Sequence, residues 1–263
     1  MSEATLKIYS YQKGPIWGWI NVAGRVIDFS PLALEGSQPL PRPLEIYKVK
    51  LKRRRTVYRT QFPSPGTRRG DMCIKRYGFG NYFYLISGWL FGSYAKNSWK
   101  AANLMCQEGI GTPLPVALLE AGSFGKKRRR FFITVALEGV VPLERLLPRL
   151  PSSGHSSLIQ ELAAFLAHLH QKGFYHADLE ANNLLVEQTG GHFRFYLVDL
   201  DRTKRLSWLP FFILDIFRLA DLRKFFKTLK YLLTMEERGR LFDGYFAAIS
   251  RSKVRKKSFS LFL

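Results

Sequence analysis

From Glu45 onward, apolar and polar residues alternate in three short runs, "EIYKVKL", "TVYRTQF" and "DMCIKRY", separated by the basic turn "KRRR" and the loop "PSPGTRRG". A period of two bounded by turn residues is the signature of β-strands, and three in succession predict an antiparallel meander. The segment Tyr94 to Glu108 reads as a helix stopped by the glycines of "GIGTP" with a proline beyond. "PVALLEAGSFG", a second basic turn "KKRRR" and "FFITVAL" predict two more strands. The pattern then changes. "SSLIQELAAFLAHLHQKG" sets Leu158, Leu162, Phe165, Leu166 and Leu169 on one helical face, with Ser157 and Gln160 as a capping-box pair and Gly173 as the stop. After the stretch "YHADLEANNLLVE" come a strand pair, "NNLLVEQ" and "FRFYLVDLD", and a helical tail to about Ser250; no internal repeat is visible. The expected architecture is α+β and bilobal: a small antiparallel β lobe over residues 43–137 and a larger helical lobe over 138–263. Residues 1–42, which carry Trp17 and Trp19 and end in the linker-like "GSQPLPRP", form an N-terminal extension.

Composition narrows what such a chain meets. Its 263 residues, 46% apolar and 14% aromatic, are globular values that exclude wholesale disorder. Lys and Arg number 41 against 20 Asp and Glu, a net charge of +21, so the surface seeks anions. Nucleic acid is not the expected partner, because charge and aromatics alone support it and no recognised motif does. An anionic membrane surface fits better. Each of the runs "KRRR", "KKRRR" and "KVRKK" reads singly as a solvated loop tip, but together they make a footprint worth about 1 kcal/mol per basic residue near acidic lipid. The apolar stretches Tyr82–Tyr94 and Trp208–Phe217 either dip into such an interface or pack the core. Both are too short to span a bilayer, and the second contains Pro210 and Asp215. The stretch "MSEATLKIYS" has no basic n-region followed by an apolar core, so no secretory signal is expected. Two cysteines, Cys73 and Cys106, are too few for a disulfide framework and have no neighbours at zinc-ligand spacing, so a reducing compartment is expected.

Within "YHADLEANNLLVE" the pattern H-x-D-x-x-x-x-N is formed by His176, Asp178 and Asn183, between a helix and a short strand. The next strand runs apolar into Asp199, and far upstream Lys75 sits in the third strand of the meander. A lysine on a small-lobe strand, an Asp and an Asn on one loop and an Asp closing the next strand are the parts of a phosphotransferase with the protein-kinase layout. Such chemistry rests on holding the nucleotide, neutralising its phosphates and aligning a hydroxyl. Lys75 would contact the α and β phosphates of ATP. Asn183 and Asp199 offer the hard oxygens that Mg²⁺ accepts while keeping several waters. Asp178, with no metal duty, would orient or deprotonate the acceptor hydroxyl. Taken alone, Lys75 is one lysine among many, His176 reads as a structural bond to backbone near the metal-binding strand, and His168 and His170 read as core or surface residues of the helix.

The stretches "HADLEANNLLV" and "YLVDLDR", with "IKRYGFGNYFYLISGWLFGSYAKNSWKAANLMCQEGIGTPLPVALLE" before them, closely resemble the bacterial lipopolysaccharide inner-core kinases of the Kdo and heptose kinase type, over roughly residues 45–250. The resemblance implies a protein-kinase-like fold and transfer of the ATP γ-phosphate to a sugar hydroxyl of the lipopolysaccharide core, at the cytoplasmic face of the inner membrane. The core glycolipid and the anionic inner-membrane surface would then be the partners. Departures from the protein-kinase pattern are specific. Ala177 replaces the arginine that reads a phosphorylated activation loop, Leu200-Asp201 replaces Phe-Gly, and Glu180 stands where many protein-directed kinases place lysine. The turn "KRRR" has no glycine to bring backbone N–H groups to phosphate. Ser98 occupies the helix position where a glutamate would orient Lys75, and Glu108 lies too far along the helix to replace it. Two alternatives therefore stay open beside the sugar kinase: another small-molecule phosphotransferase of aminoglycoside type, and a non-catalytic pseudokinase that binds acidic lipid or glycan.

Overall fold

The computed structural model describes residues 7–14, 16–21, 27, 29, 32, 45–50, 55–61, 71–78, 94–121 and 129–249. The turn "KRRR" as far as Arg54, the loop "PSPGTRRG", the stretch from Tyr82 to Ser93, most of "KKRRR" and the run "KVRKK" lie outside these residues. The chain divides into two compact units, Met1–Gln107 with Pro113–Leu137 and Glu108–Thr112 with Glu138–Leu263.

Among the described residues the first unit has seven strands, β1 (Tyr9–Lys13), β2 (Ile16–Ile20), β3 (Glu45–Lys50), β4 (Arg55–Gln61), β5 (Asp71–Tyr77), β6 (Pro115–Ala121) and β7 (Arg129–Val135). They form one antiparallel sheet in the order β1-β2-β6-β7-β5-β4-β3. The expected meander is β3-β4-β5, with Lys75 opposite Val57 on one side and Phe132 on the other. Strands β1 and β2, from the segment that the sequence sets apart as an extension, are hydrogen-bonded into this sheet through β6, with Ile16 opposite Ala121. Gly18 is needed there, because a Cβ at this position would come within 2.0 Å of the Leu118 carbonyl oxygen.

Alternation divides the faces. Met72 and Ile74 of β5 join Tyr58, Val116, Ala117, Leu119, Phe131 and Ile133 in a core that Phe29 and Leu32 complete. Leu118 and Phe132, one residue out of phase, face the opposite way. Against that face packs helix α1 (Tyr94–Gln107), with Trp99 edge-on to Phe132 at 6.5 Å. Strand β6 is buried along its whole length for this reason. A sheet covered on both sides needs apolar residues in both phases. Burial pushes the thiols of Cys73 and Cys106 up to about 11, so neither is a thiolate near neutral pH.

The second unit contains β8 (Val140–Pro142), a short helix α2 (Leu143–Leu146), helix α3 (Ser152–Gln171), β9 (Phe174–Tyr175), β10 (Leu184–Thr189), β11 (His192–Leu197), β12 (Lys204–Arg205) and helices α4 (Phe211–Leu229) and α5 (Met235–Ala248). The predicted apolar face of α3 is buried at Leu158, Leu162, Leu166 and Leu169 and packs on α5, while Phe165 meets Phe195 of β11. The capping box expected at Ser157 and Gln160 is not the start of this helix. Helix α3 begins at Ser152 behind Pro151, and Ser157 lies inside it, donating to Glu161 at 3.3 Å. The extra turn is retained because His155 on it reaches Glu237 of α5 at 2.7 Å and the Leu147 carbonyl at 3.1 Å. The stop is as read: Gly173 has φ +76 at the end of the helix. Strands β10 and β11 pair antiparallel across Gly190 and Gly191, both at positive φ, which a two-residue hairpin turn requires.

Candidate functional site

The loop from His176 to Asn183 joins β9 to β10 and has a backbone that its own residues do not favour. Ala177 has φ 63, a left-handed conformation that costs an L-residue about 1–2 kcal/mol. The support comes from helix α4. Asp221, 1% exposed, accepts the His176 N–H on Oδ2 at 2.6 Å and the Ala177 N–H on Oδ1 at 2.9 Å. Thr228, two turns further along the same helix, accepts the Ala181 N–H at 3.2 Å. The loop then closes in one helical turn, Ala181–Asn183, with the Asn183 N–H on the Glu180 carbonyl at 3.0 Å.

The same loop is fastened to the strand that delivers Asp199. The Nε2–H of His176 donates to the Val198 carbonyl at 3.1 Å, and the Val198 N–H donates to the Asn183 carbonyl at 3.0 Å. His176 thus has the structural role read from the sequence. It is fully buried, and burial holds its pKa below the usual value, so it is a neutral imidazole. Asp199 itself is left-handed, φ 60 and ψ 46, and the chain turns at once into the helical turn Leu200–Arg202. Asp178, Asn183 and Asp199 therefore belong to one hydrogen-bonded assembly within the second unit.

The side chains are oriented as well as gathered. Asn183 is buried, and its Nδ2 donates to the Asp178 carbonyl at 2.9 Å, which leaves Oδ1 as its acceptor atom. The Asp178 carboxylate meets Lys224 of α4, whose Nζ also lies 3.0 Å from Glu180 Oε1. Neither Asp221 nor Lys224 was expected from the sequence. A signal for Asp221 exists: on α4 it shares the buried stripe of Leu214, Arg218, Leu222 and Phe225, and a carboxylate at a core position requires a partner.

Lys75 belongs to the other unit. It lies out of phase with Met72 and Ile74, on the sheet face that α1 covers, with Nζ 5.5 Å from the centre of the Tyr77 ring. Ser98, at the place where a glutamate was sought, is buried on α1, with its hydroxyl 3.2 Å from that of Tyr77. The Tyr77 ring near Lys75 is thus tied through its hydroxyl to Ser98, the residue that stands where a glutamate was sought. Glu108 is engaged in the second unit by Lys172 at 2.8 Å and by Arg205.

Residues 94–211 match the model of the lipopolysaccharide kinase (Kdo/WaaP) family. That span includes His176, Asp178, Asn183 and Asp199 but neither Lys75 nor the α4 residues Asp221 and Lys224. A solved structure, WaaP in complex with acyl carrier protein, is 23% identical, with 82% of this chain and 84% of that one covered and a TM-score of 0.59. The kinase domain of Mycobacterium tuberculosis PknI is 16% identical over 73% of this chain and 71% of that one, with a TM-score of 0.43. No curated protein sequence matches. The fold is protein-kinase-like, a mixed α and β architecture with antiparallel sheets. The family match supports a phosphotransferase of lipopolysaccharide core assembly.

Proposed function

We propose that the protein is an ATP- and Mg²⁺-dependent kinase that phosphorylates a sugar hydroxyl, of Kdo or heptose, in the lipopolysaccharide inner core. The observation that carries this reading is the strained loop from His176 to Asn183, strapped on one side to Asp221 and on the other to the strand ending at Asp199. Strain maintained by buried charge is characteristic of a site where side chains must hold fixed positions. Asp178 accepts the proton of the sugar hydroxyl as that oxygen bonds to the γ-phosphorus and the bond to departing ADP breaks. Asn183 and Asp199 fit a magnesium ion: both present hard oxygen, and the Asn183 amide is turned so that its nitrogen is already spent on the loop. When bound, the ion would neutralise phosphate charge. Lys75 takes the α and β phosphates, with the Tyr77 ring 5.5 Å from its Nζ.

The glycolipid substrate implies work at a membrane surface, and α4 carries a face suited to it. No helix among the described residues is long and apolar enough to cross a bilayer. Trp208, Phe211, Phe212 and Ile216 are nevertheless 78%, 69%, 72% and 62% exposed. At helical spacing, Phe212, Ile216 and Ala220 continue into the exposed Arg223, Lys227 and Lys230 on one stripe, apolar first and cationic after. Such a stripe suits the cytoplasmic face of an anionic inner membrane, with aromatics at headgroup depth and cations on the lipid phosphates. Acyl carrier protein, which the WaaP structure contains, is the other candidate for this face.

The deciding experiment incubates the purified protein with Mg-ATP and, separately, core glycolipid, soluble sugars and aminoglycosides. Phosphate should pass to the core sugar, and Asp178→Ala should abolish transfer while the circular dichroism spectrum stays unchanged. Transfer to aminoglycosides alone would move the assignment to the other phosphotransferase class. Near-normal transfer by the Asp178→Ala variant would refute the assignment of the base.

A further inference from the structure

Between His176 and Asn183 the loop supplies two carboxylates, Asp178 and Glu180, and no cation. Phosphoryl transfer requires the opposite sign at that place, because charge on the transferred group must be neutralised as it moves. The missing charge arrives from helix α4. Lys224 pairs with the Asp178 carboxylate and with Glu180 Oε1 at 3.0 Å, and all three side chains are roughly a third exposed, so a ligand can reach them. An ammonium group has three N–H donors, and the two carboxylates engage two of them. Burial alone would lower the Lys224 pKa. The hydrogen bonds to Asp178 and Glu180 outweigh it and hold the value above that of an ordinary lysine, so the group is a cation throughout the physiological range.

We propose that Lys224 is the phosphate-contacting cation of this loop: anchored by Glu180, it neutralises Asp178 in the free protein and contacts the terminal phosphoryl group once nucleotide is bound. The proposal rests on the phosphotransfer reading of the loop. It also gives Glu180 a purpose, since a lysine held by Asp178 alone would compete with the acceptor hydroxyl for the same carboxylate. With Glu180 as a second anchor, the ammonium can release Asp178 and stay in place.

Binding without acceptor separates the two readings. Isothermal titration would measure Mg-ATP and Mg-ADP against the wild type, Lys224→Met, Lys224→Arg, Lys224→Glu and the charge swap Glu180→Lys with Lys224→Glu. A lost charge-assisted contact to the terminal phosphate weakens Mg-ATP binding by about tenfold and leaves Mg-ADP within about twofold. Lys224→Arg should retain most of the preference, and the swap should restore what Lys224→Glu alone loses. Melting curves identify any variant that fails to fold; if Lys224→Met does, the swap and its single parent carry the same comparison. An unchanged ATP-to-ADP ratio in Lys224→Met, or a swap no better than Lys224→Glu, overturns the role of Lys224. Failure of the wild type to bind either nucleotide overturns the phosphotransfer reading itself, and this proposal with it.

Discussion

Replacing Asp221 tests whether the candidate loop is shaped by its own residues or by α4. The Asp221 carboxylate is 1% exposed and receives two backbone N–H groups, from His176 at 2.6 Å and Ala177 at 2.9 Å. In Asp221→Ala both donors lose their partner, and a buried unsatisfied group costs about 1–3 kcal/mol, so the expected loss is about 4 kcal/mol. Asp221→Asn keeps one acceptor oxygen but turns an NH₂ toward the other N–H, for about half that loss. At roughly 2–4 °C per kcal/mol, the melting temperature falls by about 4–8 °C for Asn and by about twice as much for Ala. Ala177 at φ 63 supplies the control. Glycine carries no penalty there, so Ala177→Gly should stabilise the otherwise unchanged protein by about 0.5–1 kcal/mol after its greater chain entropy is counted. If Asp221 maintains the strain, that gain disappears in the Asp221→Asn background, where the loop relaxes. The double-mutant cycle, read from urea midpoints, reports the difference as a coupling energy. Equal stabilisation by Ala177→Gly in both backgrounds would show that Asp221 is not what holds the loop left-handed.

Other expectations follow from single contacts. Thr234 and Glu237 form a reciprocal capping box at the start of α5, so Thr234→Ala should cost about 1 kcal/mol in urea unfolding. Burial would raise the Glu237 pKa, but bonds from Thr234 and His155 more than offset it and hold the value below the usual 4.5. Its contribution is therefore present above pH 4.5 and lost as pH falls through the lower folded value, and Glu237→Gln should flatten the acid limb of a stability profile. Gly111 has no room for a methyl group, because a Cβ would stand 1.9 Å from the Phe195 carbonyl oxygen; Gly111→Ala should lower stability by about 3 kcal/mol in thermal melts. Trp208→Ser with Phe212→Ser should reduce sedimentation with anionic vesicles by about tenfold without lowering the melting temperature, and unchanged sedimentation would count against the lipid-facing role of α4.

What the sequence made legible follows the range of the interactions. The meander β3-β4-β5, helix α1 and the apolar face of α3 are written in local periodicity, and the motif itself stands within eight residues. Strands β1 and β2 were not legible as part of the sheet, because their partner is β6, about a hundred residues away, and Trp17 and Trp19 give no hint of it. The start of α3 was misread for a related reason. Ser157 and Gln160 carry the local signal for a cap, yet His155 is held by Glu237 on another helix, and that contact adds a turn. Asp221 and Lys224 reach the loop from more than forty residues downstream, so neither belongs to any pattern that reads along the chain.

The residues that sequence pattern could and could not find divide along a physical line. The groups proposed to meet nucleotide and acceptor from within the motif, Asp178 and Asn183, are recognisable because chemistry dictates their type and spacing. A group that reaches the loop from elsewhere in the fold, to hold a residue in place or to bring it a countercharge, needs only the right charge at the right point in space, and any element can supply it. Asp221 counters the cost of a left-handed Ala177, and Lys224 counters the repulsion of two neighbouring carboxylates. Both lie on one helix, on turns adjacent to each other, and Thr228 follows one turn later on the Ala181 N–H. Helix α4 thus acts as the template of the loop, and the exposed aromatic residues at its start place the proposed membrane contact on the same rigid rod. A helix that shapes the loop and faces the lipid would register the site to the bilayer surface without any moving part.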